Sequence, residues 1–310
     1  MGVGLALVTG GAGFIGSHLV EALLGRGIPV RVVDSLATGH RSNLAHLEGR
    51  YEWVEGDLAA PGVADEAARG AGVIFHQAAI PSVPRSIRDP IESHESGPSA
   101  TLRVLEAARK AGARRVIFAA SSSAYGDAAT LPQVETMPPR PLSPYAAGKL
   151  AGEHYVRVYA RTMGVDGVSL RYFNVFGPRQ DPSSPYSGVI SLFAAAMARG
   201  ERPRIHGDGR QTRDFTFVAN VVAANLLAMD RTQPLGGEAI NVGAGGRTSL
   251  LDLVAGLNAL YGTAIEPEFL EARAGDVRDS LAGLDRAREL LGYRPLVSFD
   301  EGLRQTVRPG

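Results

Sequence analysis

The chain has 310 residues, of which 45% are hydrophobic and 21% are charged, and its 32 basic side chains balance its 32 acidic ones. This is the profile of a globular protein long enough for two hydrophobic cores, and the neutral charge gives no support for a nucleic-acid partner. The absence of cysteine excludes disulfides, thiolate nucleophiles and cysteine metal sites.

The N-terminal residues lead directly into an apolar run, without the basic segment and cleavage pattern of a secretory signal. No apolar run reaches the roughly 18 residues that a transmembrane helix needs. The seven histidines show no paired ligand spacing such as H-E-x-x-H. We therefore expect a cytoplasmic protein with no membrane partner and no catalytic metal.

Short apolar runs alternate with Ala- and Leu-rich segments of helical period through the first half of the chain. The runs at residues 5–9, 30–34, 51–55, 73–76 and 115–120 predict buried strands. Helices are predicted after Gly16, over residues 99–111 and from Ser143, which caps a helix with Pro144 in its first turn. This alternation predicts an α/β fold of the Rossmann type, with a doubly wound parallel sheet.

The sequence pattern changes from Phe176 onward, where loops marked by Gly and Pro alternate with short helices. We therefore expect residues 1–175 to form the Rossmann domain, with return segments near residues 215–243. Residues 176–310 are predicted to form a smaller C-terminal α/β lobe that binds the substrate.

A glycine-rich loop follows the first strand and opens the first helix. Residues 9–16 read T-G-G-A-G-F-I-G, in which Gly11, Gly13 and Gly16 fit G-x-G-x-x-G and Gly10, Gly13 and Gly16 fit G-x-x-G-x-x-G. Such glycines allow a tight turn and bring a pyrophosphate close to the helix N-terminus. The strand, loop and helix together predict a dinucleotide site, whereas the alternative is a glycine-rich turn with no ligand.

Two acidic residues extend this site. Asp34 ends the second strand, where a carboxylate accepts hydrogen bonds from ribose hydroxyls and repels a 2′-phosphate, so the sequence predicts NAD rather than NADP. Arg41 is the residue that favours NADP instead. Asp57, after the third strand, is expected either to cover the adenine or to cap a helix. The other expected cofactor contacts are Phe14, Ile15, Leu58, Ala78 and Tyr172.

Tyr145 and Lys149 stand four residues apart in S-P-Y-A-A-G-K, residues 143–149. On a helix they share one face, where the ammonium is expected to lower the pKa of the phenol from its ordinary value near 10. A tyrosinate near neutral pH is then a usable base. The chain has only one other lysine, Lys110, so a lysine at position 149 stands out against the strong use of arginine.

Two further motifs complete a set of four. Residues 121–126 read S-S-S-A-Y-G after the fifth strand, and residues 171–178 read R-Y-F-N-V-F-G-P. In this order the motifs make the chain resemble the extended short-chain dehydrogenase/reductase family over nearly its whole length. The resemblance implies that Tyr145 is the acid/base, that Lys149 tunes it and holds the nicotinamide ribose, and that Ser121, or else Ser122, hydrogen-bonds the reacting hydroxyl.

The reaction is indicated by the residues between Ser121 and Tyr125. Relatives that dehydrate or decarboxylate nucleotide sugars carry an acid there to move a second proton, whereas this chain has Ser122, Ser123 and Ala124. Epimerisation at C4 needs no second acid. The chain is accordingly most similar to UDP-hexose 4-epimerases, in which the tyrosine takes the C4 hydroxyl proton, NAD takes the hydride, and both return to the other face of a 4-keto sugar.

The same resemblance assigns the UDP-sugar site. Arg213 and Arg273 would grip the UDP group, since guanidinium forks suit phosphate oxygens, with Asp276 beside them. Asn174 would lie near the sugar or the first phosphate. The loop that carries Val83 and Arg85 is similar to the sugar-facing loop of the branch that acts on N-acetylhexosamines.

Ser280 falls where the family controls the space beside C2. A serine leaves room for an acetamido group, which implies interconversion of UDP-GlcNAc and UDP-GalNAc, with UDP-glucose and UDP-galactose as further substrates. One departure concerns Ser96, Gly97 and Pro98, which replace a family segment with an Asn close to cofactor and substrate. Gly97 and Pro98 are expected to weaken or kink the helix there.

Two other functions stay open. A UDP-uronic acid 4-epimerase would want an extra cation near C6 of the sugar, which Arg85 or Arg278 can supply. A non-catalytic dinucleotide-sensing protein would keep the glycine loop, although such proteins commonly lack the tyrosine and lysine. The family resemblance also implies a homodimer in which the helices at Ser99 and Tyr145 form a four-helix bundle.

Overall fold

The computed structural model describes residues 4–128, 130–181, 188–271 and 277–307. Its strands are β1 (Leu5–Thr9), β2 (Val30–Asp34), β3 (Glu52–Glu55), β4 (Ala71–His76), β5 (Arg115–Ser121), β6 (Asp166–Tyr172), β7 (Val175–Phe176), β8 (Arg204–His206), β9 (Thr212–Arg213), β10 (Thr216–Phe217), β11 (Glu238–Val242), β12 (Thr248–Ser249) and β13 (Glu268–Leu270).

The α-helices of these ranges are α1 (Phe14–Gly25), α2 (Val63–Ala68), α3 (Val83–Arg88), α4 (Pro90–His94), α5 (Ala100–Ala111), α6 (Pro144–Thr162), α7 (Val189–Ala198), α8 (Val218–Asp230), α9 (Leu250–Tyr261), α10 (Asp285–Leu291) and α11 (Phe299–Val307). Two 3-10 turns lie at Arg41–Leu47 and Ser122–Tyr125, and a π-helical turn lies at Glu95–Ser99. In this part of the chain, no helix has both the length and the apolar character needed to cross a membrane.

Seven strands form one parallel sheet in the order β11-β6-β5-β4-β1-β2-β3. The strand order reverses between β1 and β4, and the crevice at such a reversal is where open α/β sheets bind ligands. The predicted Rossmann-type sheet is therefore confirmed. Strands β1 and β2 match the predicted runs to the residue, because both are buried apolar segments bounded by loops.

Helix α6 begins as predicted. The Ser143 side chain accepts a hydrogen bond from the backbone N–H of Ala146 at 3.1 Å, and Pro144 occupies the first helical position. The cap fixes the first turn of α6 and therefore the position of Tyr145, the second residue of the helix.

The expected disturbance at Gly97 and Pro98 takes the form of the π-helical turn between α4 and α5. Proline has no N–H to give to the helical ladder, and a widened turn accommodates the lost hydrogen bond. The turn packs on α6, since a Cβ built at Gly148 would lie 3.2 Å from Cδ of Pro98.

The remaining strands form three two-stranded pairs, β7 with β10, β9 with β12 and β8 with β13. They surround a separate hydrophobic cluster in which the Phe176 ring packs against the rings of Phe215, Phe217 and Phe299, with centroid distances of 5.6 to 6.4 Å. This cluster supports the loops that face the carboxyl ends of the central sheet.

Candidate active site

A cavity of about 950 Å³ opens at the carboxyl ends of the central strands. Its wall includes residues of the glycine loop, of the strand ends, of α6 and of the loops beyond β7. The predicted site residues that line it are Gly10, Gly13, Phe14, Ile15, Gly16, Asp34, Asp57, Leu58, Ala78, Arg85, Ser121, Ser122, Tyr145, Lys149, Tyr172, Asn174, Arg213 and Ser280.

Three further predicted residues complete the set. Arg273 and Asp276 lie outside the described residues. Val83, contrary to the prediction, does not line the cavity. It is the first residue of α3 and remains 41% exposed, because Ser82 caps the helix by accepting from the Arg85 N–H at 3.0 Å and turns Val83 outward. Ser82 and Arg85 line the cavity instead.

The glycine loop approaches its neighbours too closely for side chains. Gly10 has a left-handed φ of 64°, and a Cβ there would lie 2.7 Å from Cα of Ala78. A Cβ at Gly16 would overlap the carbonyl oxygen of Gly10, whereas one at Gly11 would meet Val32 at 2.7 Å. Gly11 thus packs against β2, while the three other glycines line the cavity and follow the G-x-x-G-x-x-G pattern.

The N-terminus of α1 is suited to an anion. Gly13 is its N-cap, and no side chain accepts a hydrogen bond from the first turn. The backbone N–H groups of that turn therefore face the cavity with their partial positive charge, as in pyrophosphate sites.

Asp34 is held in place by the backbone around it. Its two carboxylate oxygens accept from the N–H groups of Ala12 and Leu36, each at 2.9 Å. Arg41, the residue that favoured NADP in the sequence, stacks instead on the Trp53 ring, with its guanidinium carbon 4.4 Å from the ring centroid. The carboxylate at the end of β2 thus lines the cavity, while the nearby guanidinium is engaged elsewhere.

Asp57 is not a helix cap. Its Oδ1 accepts from the Ala59 N–H at 2.8 Å in a turn, and the N-cap of the following helix, α2, is Gly62. Because Asp57 also lines the cavity, its expected place beside the adenine is the interpretation that the geometry supports.

Tyr145 and Ser121 both line the cavity and interact with each other. Burial raises the pKa of Tyr145, and its hydrogen bond to Ser121 acts in the opposite direction. Ser121 also accepts from the Ser123 N–H at 3.2 Å. Ser122 lines the cavity as well, but Ser121 is the serine in contact with the phenol.

The predicted effect of Lys149 on the pKa of Tyr145 is not found in the structure. Its Nζ donates to the carbonyl of Ala119 at 2.7 Å and lies 5.9 Å from the centroid of the Tyr145 ring. Burial lowers the pKa of Lys149 to about 8, although Glu153 acts to raise it. The pKa of Tyr145 is raised rather than lowered, because desolvation outweighs the hydrogen bond from Ser121 and the ammonium is turned toward the end of β5.

His76, at the end of β4, is a buried residue that the sequence did not single out. Thr101 donates its one hydroxyl proton to the Gly97 carbonyl at 2.8 Å, so it must accept from Nε2 of His76 at 3.1 Å. Nδ1 then accepts from the Thr9 hydroxyl at 2.8 Å. Burial and the charge of Lys149 lower the pKa of His76 to about 3, so a neutral imidazole ties the end of β4 to α5 and the π-helical turn.

On the opposite side, Asn174 and Ser280 form one polar pair. The Asn174 side chain donates to Oγ of Ser280 at 3.1 Å and to the Asp214 carbonyl at 3.2 Å. The Asp214 carboxylate lies beneath them and accepts from the N–H groups of Ala244 and Ala282. Arg213 donates to the carbonyl of Arg278 at 2.9 Å, which keeps its guanidinium beside this wall.

The glycine loop lies where the strand order reverses, and Tyr145 contacts Ser121 at the end of β5. These two features define the extended short-chain dehydrogenase/reductase class, to which the protein belongs. More closely, the chain belongs to the NAD dependent epimerase/dehydratase family, whose family model matches residues 6–243. Its cofactor is therefore NAD, as predicted. Among the residues that the structure describes, no group of three or more His, Asp or Glu is placed to hold a metal ion.

The chain is similar to individual members along its whole length. It is 42% identical to the UDP-glucose 4-epimerase of Mycolicibacterium smegmatis, over 97% of this chain and 96% of the relative. It superposes with a TM-score of 0.94 and 35% identity on a UDP-N-acetylglucosamine 4-epimerase from Methanobrevibacter ruminantium, covering 99% and 98% of the two chains. A UDP-glucuronic acid 4-epimerase from Bacillus cereus matches with a TM-score of 0.91 and 32% identity, covering 98% of each.

Proposed function

We propose that this chain is a UDP-hexose 4-epimerase that interconverts UDP-GlcNAc and UDP-GalNAc and also accepts UDP-glucose and UDP-galactose. One observation carries the proposal. Tyr145 contacts Ser121, and the turn that follows, Ser122–Tyr125, brings no acidic side chain to the cavity. Tyr125 in that turn points away and donates to Asn241 at 2.7 Å. The strand-end turn thus supplies no second proton-transfer group, and epimerisation needs none.

In this proposal the chain orients the sugar and moves the proton. Ser121 holds the C4 hydroxyl against Tyr145, whose phenolate form takes the hydroxyl proton, becomes the neutral phenol and later returns the proton. Lys149, anchored on the Ala119 carbonyl, supplies positive charge beside the phenol while that proton is absent. NAD, held by the glycine loop and Asp34, would supply the hydride chemistry at C4. The volume of the cavity leaves the sugar room to present its other face between the two transfers.

Ser280 supports the acetamido sugars as substrates. It is a small residue in the wall, beside Asn174, where a bulkier side chain would take the space of a C2 substituent. A pocket with this extra room also admits the smaller hexoses, since selectivity from one missing group is modest. The similarity to epimerases of both sugar types supports this breadth.

A UDP-uronic acid 4-epimerase is the second candidate, favoured by the similarity to the Bacillus cereus protein. The two cations considered for it are both engaged with acids. Arg278 is largely exposed and donates to Asp208 at 3.1 Å, and Arg85 is bound by Glu92. The non-catalytic alternative is less favoured, because Tyr145, Lys149 and Ser121 are all present and all line the cavity.

The nucleotide sugar would lie between a Rossmann domain of residues 1–175 and the lobe of residues 176–310. The pairing of β11 with β6 in the central sheet supports the proposed return segment near residues 215–243. Arg213, with Arg273 and Asp276, would hold the UDP group. For the homodimer we propose contact through α5 and α6. On α6, Tyr155 and Val158 remain 37% and 48% exposed, which supports a helix-bundle interface.

The experiment that tests the function is the initial rate of the purified protein, without added cofactor, on UDP-GlcNAc and UDP-glucose side by side. Turnover of both sugars is the expected result, because NAD is regenerated in each cycle and stays bound. Turnover of UDP-glucose alone would contradict the acetamido preference. Absence of turnover on both would overturn the proposed function.

A further inference from the structure

The wall formed by residues 82–99 lies on the Tyr145 side of the cavity. The segment follows β4, which neighbours β5 and its terminal Ser121, whereas Asp34 ends β2 on the other side of β1. It packs on α6 where Pro98 meets Gly148, next to Lys149. We call residues 82–99 the sugar-side wall, since the reacting sugar must lie beside Tyr145.

Arg85 and Glu92 form a two-pronged ion pair on this wall. Nε of Arg85 donates to Oε2 of Glu92 at 2.7 Å, and Nη2 donates to Oε1 at 2.5 Å. The parallel fork is the strongest arrangement available to these groups. The hydrogen bonds from Arg85 also lower the pKa of Glu92, so the carboxylate stays ionised.

The pair is set by the helices that carry it. Arg85 lies in α3, which Ser82 caps, and Glu92 lies in α4, which Asp89 caps by accepting from the Glu92 N–H at 2.9 Å. Two capped helices hold the two side chains in register, so little conformational freedom is lost when the fork forms.

The charge on this wall opposes an anionic sugar. Arg85 and Glu92 line the cavity together, and so does Glu95, which adds a second carboxylate. A carboxylate on the bound sugar would therefore meet one cation already matched by an acid, and a further acid beside it. Glu95 is exposed and the Glu92 side chain is 38% exposed, so the repulsion between like charges gains strength when a bound sugar covers the wall and displaces the screening solvent.

We propose that Glu92 is a specificity residue: by holding Arg85 and acting with Glu95, it excludes nucleotide sugars that carry a carboxylate at C5 and admits neutral ones. This inference deepens the proposed function and rests on it for the identity of the ligand class. Glu92 selects among sugars and takes no part in proton transfer.

The test compares dissociation constants of UDP-glucuronic acid and UDP-glucose for the NAD-loaded protein, by calorimetry, with kcat/KM for the same sugars. Glu92→Gln should remove the carboxylate that neutralises Arg85 and shift the ratio of the two affinities toward the uronic acid by about tenfold or more, the scale of one pocket contact. Glu95→Gln should shift it in the same direction. Adding Arg85→Ala to Glu92→Gln should abolish the gain, because the guanidinium is then missing.

The matched control is Glu201→Gln, which breaks an Arg–Glu fork on the surface with Arg199 and should leave both affinities unchanged. A wild-type protein that binds the uronic acid as well as the neutral sugar overturns the inference. So does a Glu92→Gln variant whose affinity ratio is unchanged, or whose two affinities change by the same factor as expected of a structural defect. Failure of the proposed function is separate, because it appears as absent turnover, whereas the affinity ratio is measured without turnover.

Discussion

The side chain of Asn174 donates a hydrogen bond to Oγ of Ser280 across 3.1 Å, and this bond joins two loops that are far apart in sequence. Ser280 is 6% exposed, and its Oγ also accepts from the backbone N–H of Asp214 at 3.4 Å. The residue at position 280 therefore sets the width of the cavity through its size and the orientation of the Asn174 amide through its hydroxyl.

Replacing Ser280 with Tyr should narrow the substrate range. The ring would fill the space proposed for the C2 substituent, so kcat/KM for UDP-GlcNAc should fall by roughly 10- to 200-fold relative to UDP-glucose. Ser280→Ala is the control, because it removes the hydroxyl without adding bulk. The measurement is kcat/KM on the two sugars side by side. An unchanged ratio in Ser280→Tyr would show that residue 280 does not control the choice between them.

Tyr145→Phe should abolish turnover while NAD stays bound. The phenol oxygen is needed for proton transfer, a contribution of about 10²- to 10⁴-fold, whereas the phenyl ring keeps the packing. Tyr51→Phe, whose ring packs against Trp53 and does not line the cavity, should retain full activity. The measurement is turnover together with the NAD released on denaturation, and an active Tyr145→Phe protein would disprove the assigned role.

Gly16→Ala should cost the protein its NAD. The added Cβ would collide with the carbonyl of Gly10 and lie 2.8 Å from Cα of Gly11, so the cradle backbone must shift. Gly25→Ala lies in the same helix with nothing within 4 Å of its Cβ and should raise stability by about 0.5–1 kcal/mol. Cofactor content after gel filtration separates the two variants, and equal NAD retention would contradict the close approach at Gly16.

Glu153→Gln should destabilise the fold strongly. Glu153 and Arg171 are 6% and 5% exposed and form a two-pronged pair at 2.9 and 2.7 Å, and removing one partner leaves a buried charge, at a cost of about 3–5 kcal/mol. Glu201→Gln on the surface should leave the urea midpoint unchanged. Equal midpoints for the two variants would show that the buried pair contributes no more than the exposed one.

The buried, neutral His76 should make the free energy of unfolding decrease in acid. Its pKa is lowered from 6.5 to about 3 by burial and by Lys149, so between these values the unfolded chain binds a proton that the folded chain does not. Stability then decreases as pH falls below about 6.5, by up to about 1.4 kcal/mol per pH unit. Urea unfolding at pH 7.5, 6 and 5 should show a shallower dependence for His76→Gln than for the wild type. Identical slopes would assign the acid loss to other groups.

The predictions from sequence were most reliable where one segment decides its own structure. The apolar runs of β1 and β2, the Ser143 cap and the helical spacing of Tyr145 and Lys149 all follow from local periodicity, capping and sterics. The break at Gly97 and Pro98 is equally local, since proline disturbs any helix that contains it.

For the lobe beyond β6, the sequence predicted loops and short helices but none of the individual strands. Its strands have two or three residues each, apart from β11, and they pair across long stretches of chain, as β9 does with β12. So short a strand carries no alternating pattern to recognise. The pairs form because the phenylalanine cluster around Phe176 holds their loops together.

The sequence by itself determined the first five strands of the sheet, the dinucleotide loop and the tyrosine–lysine helix, because each depends on neighbouring residues. Only the tertiary structure decided which charges meet: that His76 is buried neutral beside Lys149, that burial raises rather than lowers the pKa of Tyr145, and that Glu92 binds Arg85. Desolvation and ion pairing depend on distances between segments that only folding brings together.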